Sequence, residues 1–257
     1  MKKYALVTGA TSGIGKEISL LLAAAGYQLV IVARSRKNLK EFADTISKRF
    51  NIEVLPIAID LSQTLAAQDV FDQVQKHHLS IEVLINSAGF GSAGKFWEID
   101  KAKEASELQL NIITLTLLTK LFLPQMIEKK MGKILNVASV AAFFPGPFMS
   151  VYFASKAYVL SFSLGLAEEL RGTGVSVTTL CPPPTESNFA ETAGVKETQS
   201  FSGKLLTSAQ VAKNGFNGMM LEKNIVFCNM SSRILVLATK FLPSTVVTKL
   251  VRLSTQL

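Results

Sequence analysis

Short apolar segments alternate along this chain with longer segments in which apolar residues recur every three to four positions. The short segments are rich in β-branched residues and apolar on both faces, which is typical of buried parallel strands. They cover residues 4–8, 28–33, 53–59, 83–86, 133–138 and 175–181, and residues 224–229 would form a seventh. The helix-period segments between them cover residues 14–25, 36–50, 64–77, 101–130 and 152–171.

This alternation predicts an α/β fold, a Rossmann-like doubly wound parallel sheet of about seven strands with helices on both faces. No repeat, low-complexity tract or linker interrupts the 257 residues. We therefore expect residues 1–257 to form a single domain.

The C-terminal tail, about residues 231–257, has a helical pattern of its own. Residues 231–242 are apolar apart from a few polar or basic positions, and Pro243 suits the first turn of a second helix. After Pro243, apolar residues recur at helical spacing at Val246, Leu250, Leu253 and Leu257. Two interpretations remain open: the tail packs on the domain or another subunit, or it lies as an amphipathic helix on an anionic membrane surface.

A glycine-rich turn follows the first strand and opens the first helix. Glycines allow a tight turn and a close approach to a pyrophosphate at the positive end of the helix. The segment therefore predicts dinucleotide binding by Gly9, Thr11, Ser12, Gly13, Ile14 and Gly15. The alternative is an ordinary tight loop between strand and helix.

The second strand ends in a basic segment with no acidic residue. An acid at this point accepts from the ribose 2′-hydroxyl of NAD, whereas arginine suits the 2′-phosphate of NADP. We therefore predict NADP(H) as cofactor, with Arg34 as the main contact and Ser35 or Arg36 assisting. The alternative is that Arg34 only begins the following loop.

The strongest catalytic candidates are Tyr152 and Lys156, with Ser139 upstream. Positions four apart on a helix share one face, so the phenol and the ammonium should point into one cleft. A phenol has a pKa of about 10, and an ammonium about 4 Å away would favour the phenolate by about 4 kcal/mol. We therefore expect Tyr152 to exchange a proton with a substrate oxygen while Ser139 hydrogen-bonds that oxygen.

The GxxxGxG spacing of the turn, together with YxxxK, resembles the short-chain dehydrogenase/reductase family. The resemblance runs from Ala5 to about Phe227. It implies that Tyr152 is the general acid in reduction and the base in oxidation. It further implies that Lys156 also binds the nicotinamide ribose, and that Asn111 holds a water that relays protons.

The resemblance also implies further cofactor contacts: Asp60 and Leu61 at the adenine, Asn86, Ala88 and Gly89 along the nicotinamide-side ribose, and Pro182 and Thr185 after the sixth strand. For Asp60, capping of a helix is a competing role. Two positions depart from the family pattern: Ser87 stands where asparagine is common, and Pro183 where glycine is usual. Proline removes an N–H near the nicotinamide, which puts the carboxamide contact of this turn in doubt.

Aromatic and apolar residues in three segments predict a lipophilic carbonyl substrate. An equally weighted alternative is that half of these residues pack in the core or at a subunit interface. The segments are residues 90–95, residues 143–149 and the loop at about 186–203, which in the family is a mobile lid. The candidate pocket residues are Phe143, Phe144, Phe148, Met149, Phe189 and Phe201.

Composition limits the other possibilities. The net charge is +8, with eight Lys/Arg and two acids in residues 196–257. No nucleic-acid motif or metal-ligand spacing accompanies this charge, and the two cysteines are too few for a disulfide framework. We expect a cytoplasmic, homodimeric or homotetrameric oxidoreductase, with membrane contact through the basic tail left open. The alternative function is a catalytically slow NADP-binding sensor or scaffold.

Overall fold

A computed structural model describes residues 2–195, 198 and 205–256 of the chain. Its strands are β1 (Tyr4–Thr8), β2 (Gln28–Ala33), β3 (Val54–Ala58), β4 (Ile81–Asn86), β5 (Gly132–Val137), β6 (Val175–Cys181), β7 (Thr185–Glu186), β8 (Leu206–Thr207) and β9 (Ile225–Phe227). Seven of them form one parallel sheet in the order β3-β2-β1-β4-β5-β6-β9, while β7 and β8 pair separately. The predicted fold class and the seventh strand are confirmed.

Helices cover both faces of the sheet, because alternate strand residues point to opposite sides. The helices are α1 (Gly13–Ala24), α2 (Arg36–Phe50), α3 (Ala66–Lys76), α4 (Lys101–Leu108), α5 (Leu115–Glu128), α6 (Ser150–Glu169), α7 (Phe189–Ala193), α8 (Ser208–Met220), α9 (Met230–Thr239) and α10 (Ser244–Thr255). Ala5 and Val7 of β1 join the core beneath α1, α2 and α8. Leu6 joins the core beneath α3 and α5.

The helix predicted over residues 101–130 is interrupted. Between α4 and α5, residues Gln109–Thr114 form a π-helical segment in which Asn111 and Thr114 are buried. Such segments insert an extra residue into a helix and occur frequently at functional sites. The combined stretch Lys101–Glu128 is long and apolar enough to cross a membrane by composition alone. However, Leu118 and Phe122 on its inner side are buried in the core beneath the sheet.

The tail forms α9 and α10, and its contact face differs from the predicted one. The stripe expected to pack, Val246, Leu250 and Leu253, is exposed, whereas Val247 and Thr255 are buried. The hydroxyl of Thr255 donates to the carbonyl of Pro147 at 2.8 Å. The tail thus packs on the domain, through the face beside the predicted stripe. Leu257 and most of the predicted lid after Val195, including Phe201, lie outside the described residues.

Candidate active site

The carboxyl ends of the strands surround one cavity of about 940 Å³. It opens between β1 and β4, where the strand order reverses from descending to ascending. In open α/β sheets, ligands bind at this reversal because the helices leave a crevice there. The sheet topology alone therefore indicates that this crevice is the candidate functional site.

The glycine-rich turn forms one wall of this cavity, and all six of its predicted residues line it. Gly9 has a φ of 67°, and a Cβ there would come within 3.0 Å of the Cα of Ala88. At Gly15, a Cβ would lie 2.4 Å from the carbonyl oxygen of Gly9. The first turn of α1 has no side-chain cap from Ser12, so its N–H groups remain available to an anion. The turn fits a pyrophosphate.

The end of β2 brings a cation to the same cavity. Arg34 and Ser35 line it, and Arg34 forms no ion pair with any residue that the structure describes. The Ser35 hydroxyl also accepts from the backbone N–H of Asn38 and caps α2. Arg36 does not line the cavity, and Asn38, which the sequence did not indicate, takes its place.

Asp60 and Leu61, the residues predicted to lie at the adenine, line the cavity. The Asp60 carboxylate accepts from the backbone N–H of Ser62 at 3.0 Å and from its hydroxyl at 2.8 Å. Since α3 begins at Ala66, this contact fixes a turn and does not cap the helix.

Ala88 and Gly89 also line the cavity, whereas Asn86, predicted with them, does not. Its amide is buried behind the cavity, where it donates to Asn136 at 2.9 Å and to Thr119 at 3.2 Å. Strand alternation turns this side chain toward α5 and away from the cavity. Asn86 thus links β4, β5 and α5.

Ser139, Tyr152 and Lys156 line the same cavity, and the Ser139 and Tyr152 side chains are in contact. The Ser139 hydroxyl accepts from the N–H of Ala141 at 3.1 Å. The Lys156 ammonium is buried, lies 5.7 Å from the centroid of the Tyr152 ring and donates to the carbonyl of Val137 at 2.9 Å. The structure therefore brings the three predicted catalytic side chains together.

The sequence predicts that Lys156 lowers the pKa of the Tyr152 phenol, but this pKa is raised in the structure. Burial raises the pKa of Tyr152 to about 12, the Ser139 hydroxyl opposes this shift, and Glu107 adds to it. Burial lowers the pKa of Lys156 to about 8, against the attraction of Glu107. In the cofactor-free chain, desolvation therefore dominates the pKa of the phenol, which keeps its proton at neutral pH.

Asn111 is buried in the π-helical segment and holds backbone in place. Its amide donates to the carbonyl of Phe90 at 2.9 Å and to the Ser155 hydroxyl at 3.1 Å, and its oxygen accepts from the N–H of Phe90 at 3.2 Å. A Cβ on Gly89 would lie 3.0 Å from that oxygen and 3.4 Å from the Lys156 nitrogen. Asn111 thus positions the loop after β4, and its oxygen and the Lys156 nitrogen both lie beside Gly89.

Pro182, Pro183 and Thr185 line the cavity beyond β6. The Thr185 hydroxyl donates to the carbonyl of Pro183 at 2.7 Å, so its proton is already used within the turn. The carbonyl of Pro182 accepts from the N–H of Val140 at 3.0 Å, which ties this turn to the segment after β5.

The substrate side is apolar and includes the tail. Of the predicted aromatic and apolar residues, Phe144, Met149 and Phe189 line the cavity. Phe143 packs instead against Phe227, and Phe148 lies under Arg252. The sequence did not indicate that the last two helices complete the wall, through Leu235, Thr239, Val247, Leu250, Val251, Ser254 and Thr255.

Comparison with known proteins agrees with this architecture. Residues 3–198 match the family model described as short chain dehydrogenase. The very-long-chain 3-oxoacyl-CoA reductase of Rattus norvegicus is 35% identical over 186 residues, which are 70% of this chain but only 58% of that protein.

Solved structures resemble most of the chain. A short-chain dehydrogenase from Sphingobium yanoikuyae in complex with NADPH has a TM-score of 0.84 and 27% identity, covering 93% of each chain. A relative from Burkholderia phymatum in complex with NAD has a TM-score of 0.82 and 26% identity, covering 92% of each chain. The chain belongs to the short-chain dehydrogenase/reductase family of oxidoreductases.

Proposed function

We propose that this protein is an NADP(H)-dependent oxidoreductase that transfers a hydride between nicotinamide and a carbonyl or secondary alcohol of a lipophilic substrate. The observation that carries the proposal is the meeting of Tyr152, Lys156 and Ser139 in the cavity that the glycine-rich turn lines. The nicotinamide supplies or accepts the hydride when it is bound. The side chains supply proton transfer and orientation.

The choice of NADP(H) rests on Arg34. An exposed guanidinium at the end of β2, with no acid beside it in sequence, suits bidentate recognition of a phosphate. The NADPH complex of the Sphingobium yanoikuyae relative supports the proposal, whereas the Burkholderia phymatum relative was solved with NAD. The test is therefore whether this chain itself binds and uses NADPH in preference to NADH.

Tyr152 acts as the general acid of reduction. A phenol with a pKa of about 12 is protonated throughout the neutral range, so it can donate its proton to the oxygen of a carbonyl as that oxygen becomes negative. The Ser139 hydroxyl would hydrogen-bond the same oxygen, and Lys156 would compensate the charge left on the phenolate. In the cofactor-free chain the phenol therefore carries the proton that carbonyl reduction requires.

The substrate class follows from the wall of the cavity. Phe144, Met149, Phe153 and Phe189 surround the approach to Tyr152, and Val251 of α10 packs on the same cluster. Apolar walls with few polar groups favour a substrate with a long apolar portion. The name of the Rattus norvegicus relative, a very-long-chain 3-oxoacyl-CoA reductase, agrees with this class.

The exposed faces of α9 and α10 support membrane contact. Phe241 is 87% exposed and Leu253 65% exposed, and Leu250 is both exposed and part of the cavity wall. Residues 223–257 contain five Lys/Arg and no Asp/Glu. An apolar face flanked by cations suits an anionic bilayer, and the cavity wall at this face would admit a lipid-like substrate from it. We therefore propose a cytoplasmic protein peripheral to the membrane.

A second apolar face supports a homodimer or homotetramer. The apolar residues exposed at this face are Leu108 on α4, Ile113 in the π-helical segment, Leu117 on α5 and Tyr158 on α6. Association through these helices would bury them.

The function is tested by NADPH oxidation against a panel of long-chain ketones, acyl thioesters and steroids, with NADPH binding measured in parallel. Turnover of at least one apolar carbonyl compound is expected, faster than with NADH. Tight NADPH binding without turnover on any compound would contradict the proposal and favour a sensor or scaffold.

A further inference from the structure

A buried carboxyl group lies on α4, the helix that packs against the helix of Tyr152 and Lys156. Glu107 is the only fully buried carboxylate within the described residues, with 0% exposure; the buried Ser92 hydroxyl lies beside it, and it forms no ion pair there. Burying an unpaired carboxylate is costly, and in a native protein such a group calls for an explanation.

The position of Glu107 points to Lys156. It is the one buried residue of α4, which packs against α6, the helix that carries Tyr152 and Lys156. One turn later comes Asn111, whose oxygen and the Lys156 nitrogen both lie within 3.4 Å of the Cβ position of Gly89. Glu107 does not line the cavity, so it has no direct contact with a substrate there.

We propose that Glu107 is a positioning residue of the reaction: its carboxylate is the buried counter-charge that keeps the Lys156 ammonium protonated. This proposal rests on the proposed function, because it assigns Glu107 a role through Lys156. Lysine has to remain cationic to compensate the phenolate that Tyr152 becomes after donating its proton. A neutral lysine would leave that charge without compensation.

The charges around both groups support this assignment. Burial raises the pKa of Glu107 to about 7, Ser92 and Lys156 oppose the shift, and nearby Glu104 and Lys103 have smaller effects. Burial lowers the pKa of Lys156 to about 8, and Glu107 and Cys181 oppose that loss. The Cys181 thiol, with its pKa raised to about 12 by burial, is neutral in this range. Glu107 therefore becomes anionic just below the pH at which Lys156 would lose its proton.

The direct test is the titration of Lys156 in the cofactor-free protein, followed by NMR of lysines labelled with ¹³C at Cε. The Lys156 signal is assigned by its absence from Lys156→Met. In Glu107→Gln, the titration midpoint of Lys156 is expected about one pH unit lower than in the wild type, because the negative charge that stabilises the ammonium is removed. Glu128→Gln, the same change at an exposed position of α5, is the matched control and should leave it unchanged. An unchanged or higher midpoint in Glu107→Gln would overturn the proposal.

A reciprocal measurement covers the case in which Glu107→Gln does not fold. Coupling between two sites is mutual, so removing the ammonium in Lys156→Met must raise the titration midpoint of the Glu107 carboxyl carbon. No change there would equally refute the pairing.

The pH profile of turnover separates the two proposals. Where a substrate is turned over, the alkaline limb of kcat should shift down with the Lys156 midpoint in Glu107→Gln. A shifted titration without turnover in any variant would reject the proposed function and leave the pairing of Glu107 with Lys156 intact.

Discussion

The ammonium nitrogen of Lys156 lies 5.7 Å from the centroid of the Tyr152 ring, over its face, and donates to the carbonyl of Val137. The cation therefore meets the π-system of the ring, and the carbonyl of β5 holds it there. Burial is the largest cause of the raised pKa of the phenol in the cofactor-free chain. It also leaves the phenol as a proton donor, the state that carbonyl reduction requires.

The nucleotide preference is expected to depend on Arg34. In Arg34→Ala, the Kd for NADPH should rise about tenfold to a hundredfold, because charged hydrogen bonds are worth about 1.5–3 kcal/mol. Binding of NADH should change little. Arg36→Ala, a neighbouring arginine outside the cavity, is the control and should bind both nucleotides as the wild type does. Equal losses for NADPH and NADH in Arg34→Ala would contradict the assignment.

The tight packing of the glycine-rich turn predicts a stability effect. In Gly15→Ala, the new Cβ would lie 2.4 Å from the carbonyl oxygen of Gly9, so the turn must open. We expect the free energy of unfolding to fall by about 1–3 kcal/mol in urea titrations. Gly165→Ala on α6 has no heavy atom within 4 Å of the new Cβ and should instead gain about 0.4–1 kcal/mol. An unchanged free energy of unfolding in Gly15→Ala would show that the turn is less tightly packed than described.

Stability should depend on pH through Glu107. Its pKa in the folded chain is about 7 against an ordinary value of 4.5, so the native state holds a proton that the unfolded chain has already lost between these values. The free energy of unfolding should therefore fall as pH rises from about 4.5 to 7. This fall should be smaller in Glu107→Gln, and unaltered in Glu128→Gln, where the substituted carboxylate is exposed on α5. Identical pH profiles for wild type and Glu107→Gln would show that the carboxyl is not perturbed.

Membrane contact is expected to depend on the exposed tail residues. Leu253→Glu should reduce flotation of the protein with vesicles of phosphatidylcholine and phosphatidylglycerol severalfold, since it places an anion in the apolar face. Leu65→Glu changes an equally exposed leucine before α3 and should leave flotation unchanged. Wild-type protein that stays unbound, or binds neutral vesicles equally well, would contradict the proposed anionic surface.

The periodicity of apolar residues predicted the elements whose formation depends on residues close in sequence. The strands, most helices and the pairing of Tyr152 with Lys156 follow from residues close in sequence. The π-helical segment at Asn111 does not, because it requires the buried contacts with Phe90 and Ser155, which come from distant parts of the chain.

The sequence did not predict which side of an element is buried where two of its faces had equally suitable residues. In α10, Val247 and Val251 form an apolar stripe beside Val246 and Leu250, and only the partner surface decides which one is buried. At Asn86, the motif placed the residue at the correct strand end, and strand alternation turned its side chain into the core. Glu107 carries no local signal, since its burial depends on packing between α4 and α6.

The most direct test of the account is the comparison of Tyr152→Phe with the wild type for NADPH binding and for turnover of a responsive carbonyl compound. We expect NADPH affinity to stay close to that of the wild type and kcat to fall by about 10² or more, because the proton donor is removed while the cavity keeps its shape. A variant that reduces the same compound at nearly the wild-type rate would contradict the role of Tyr152 as the general acid.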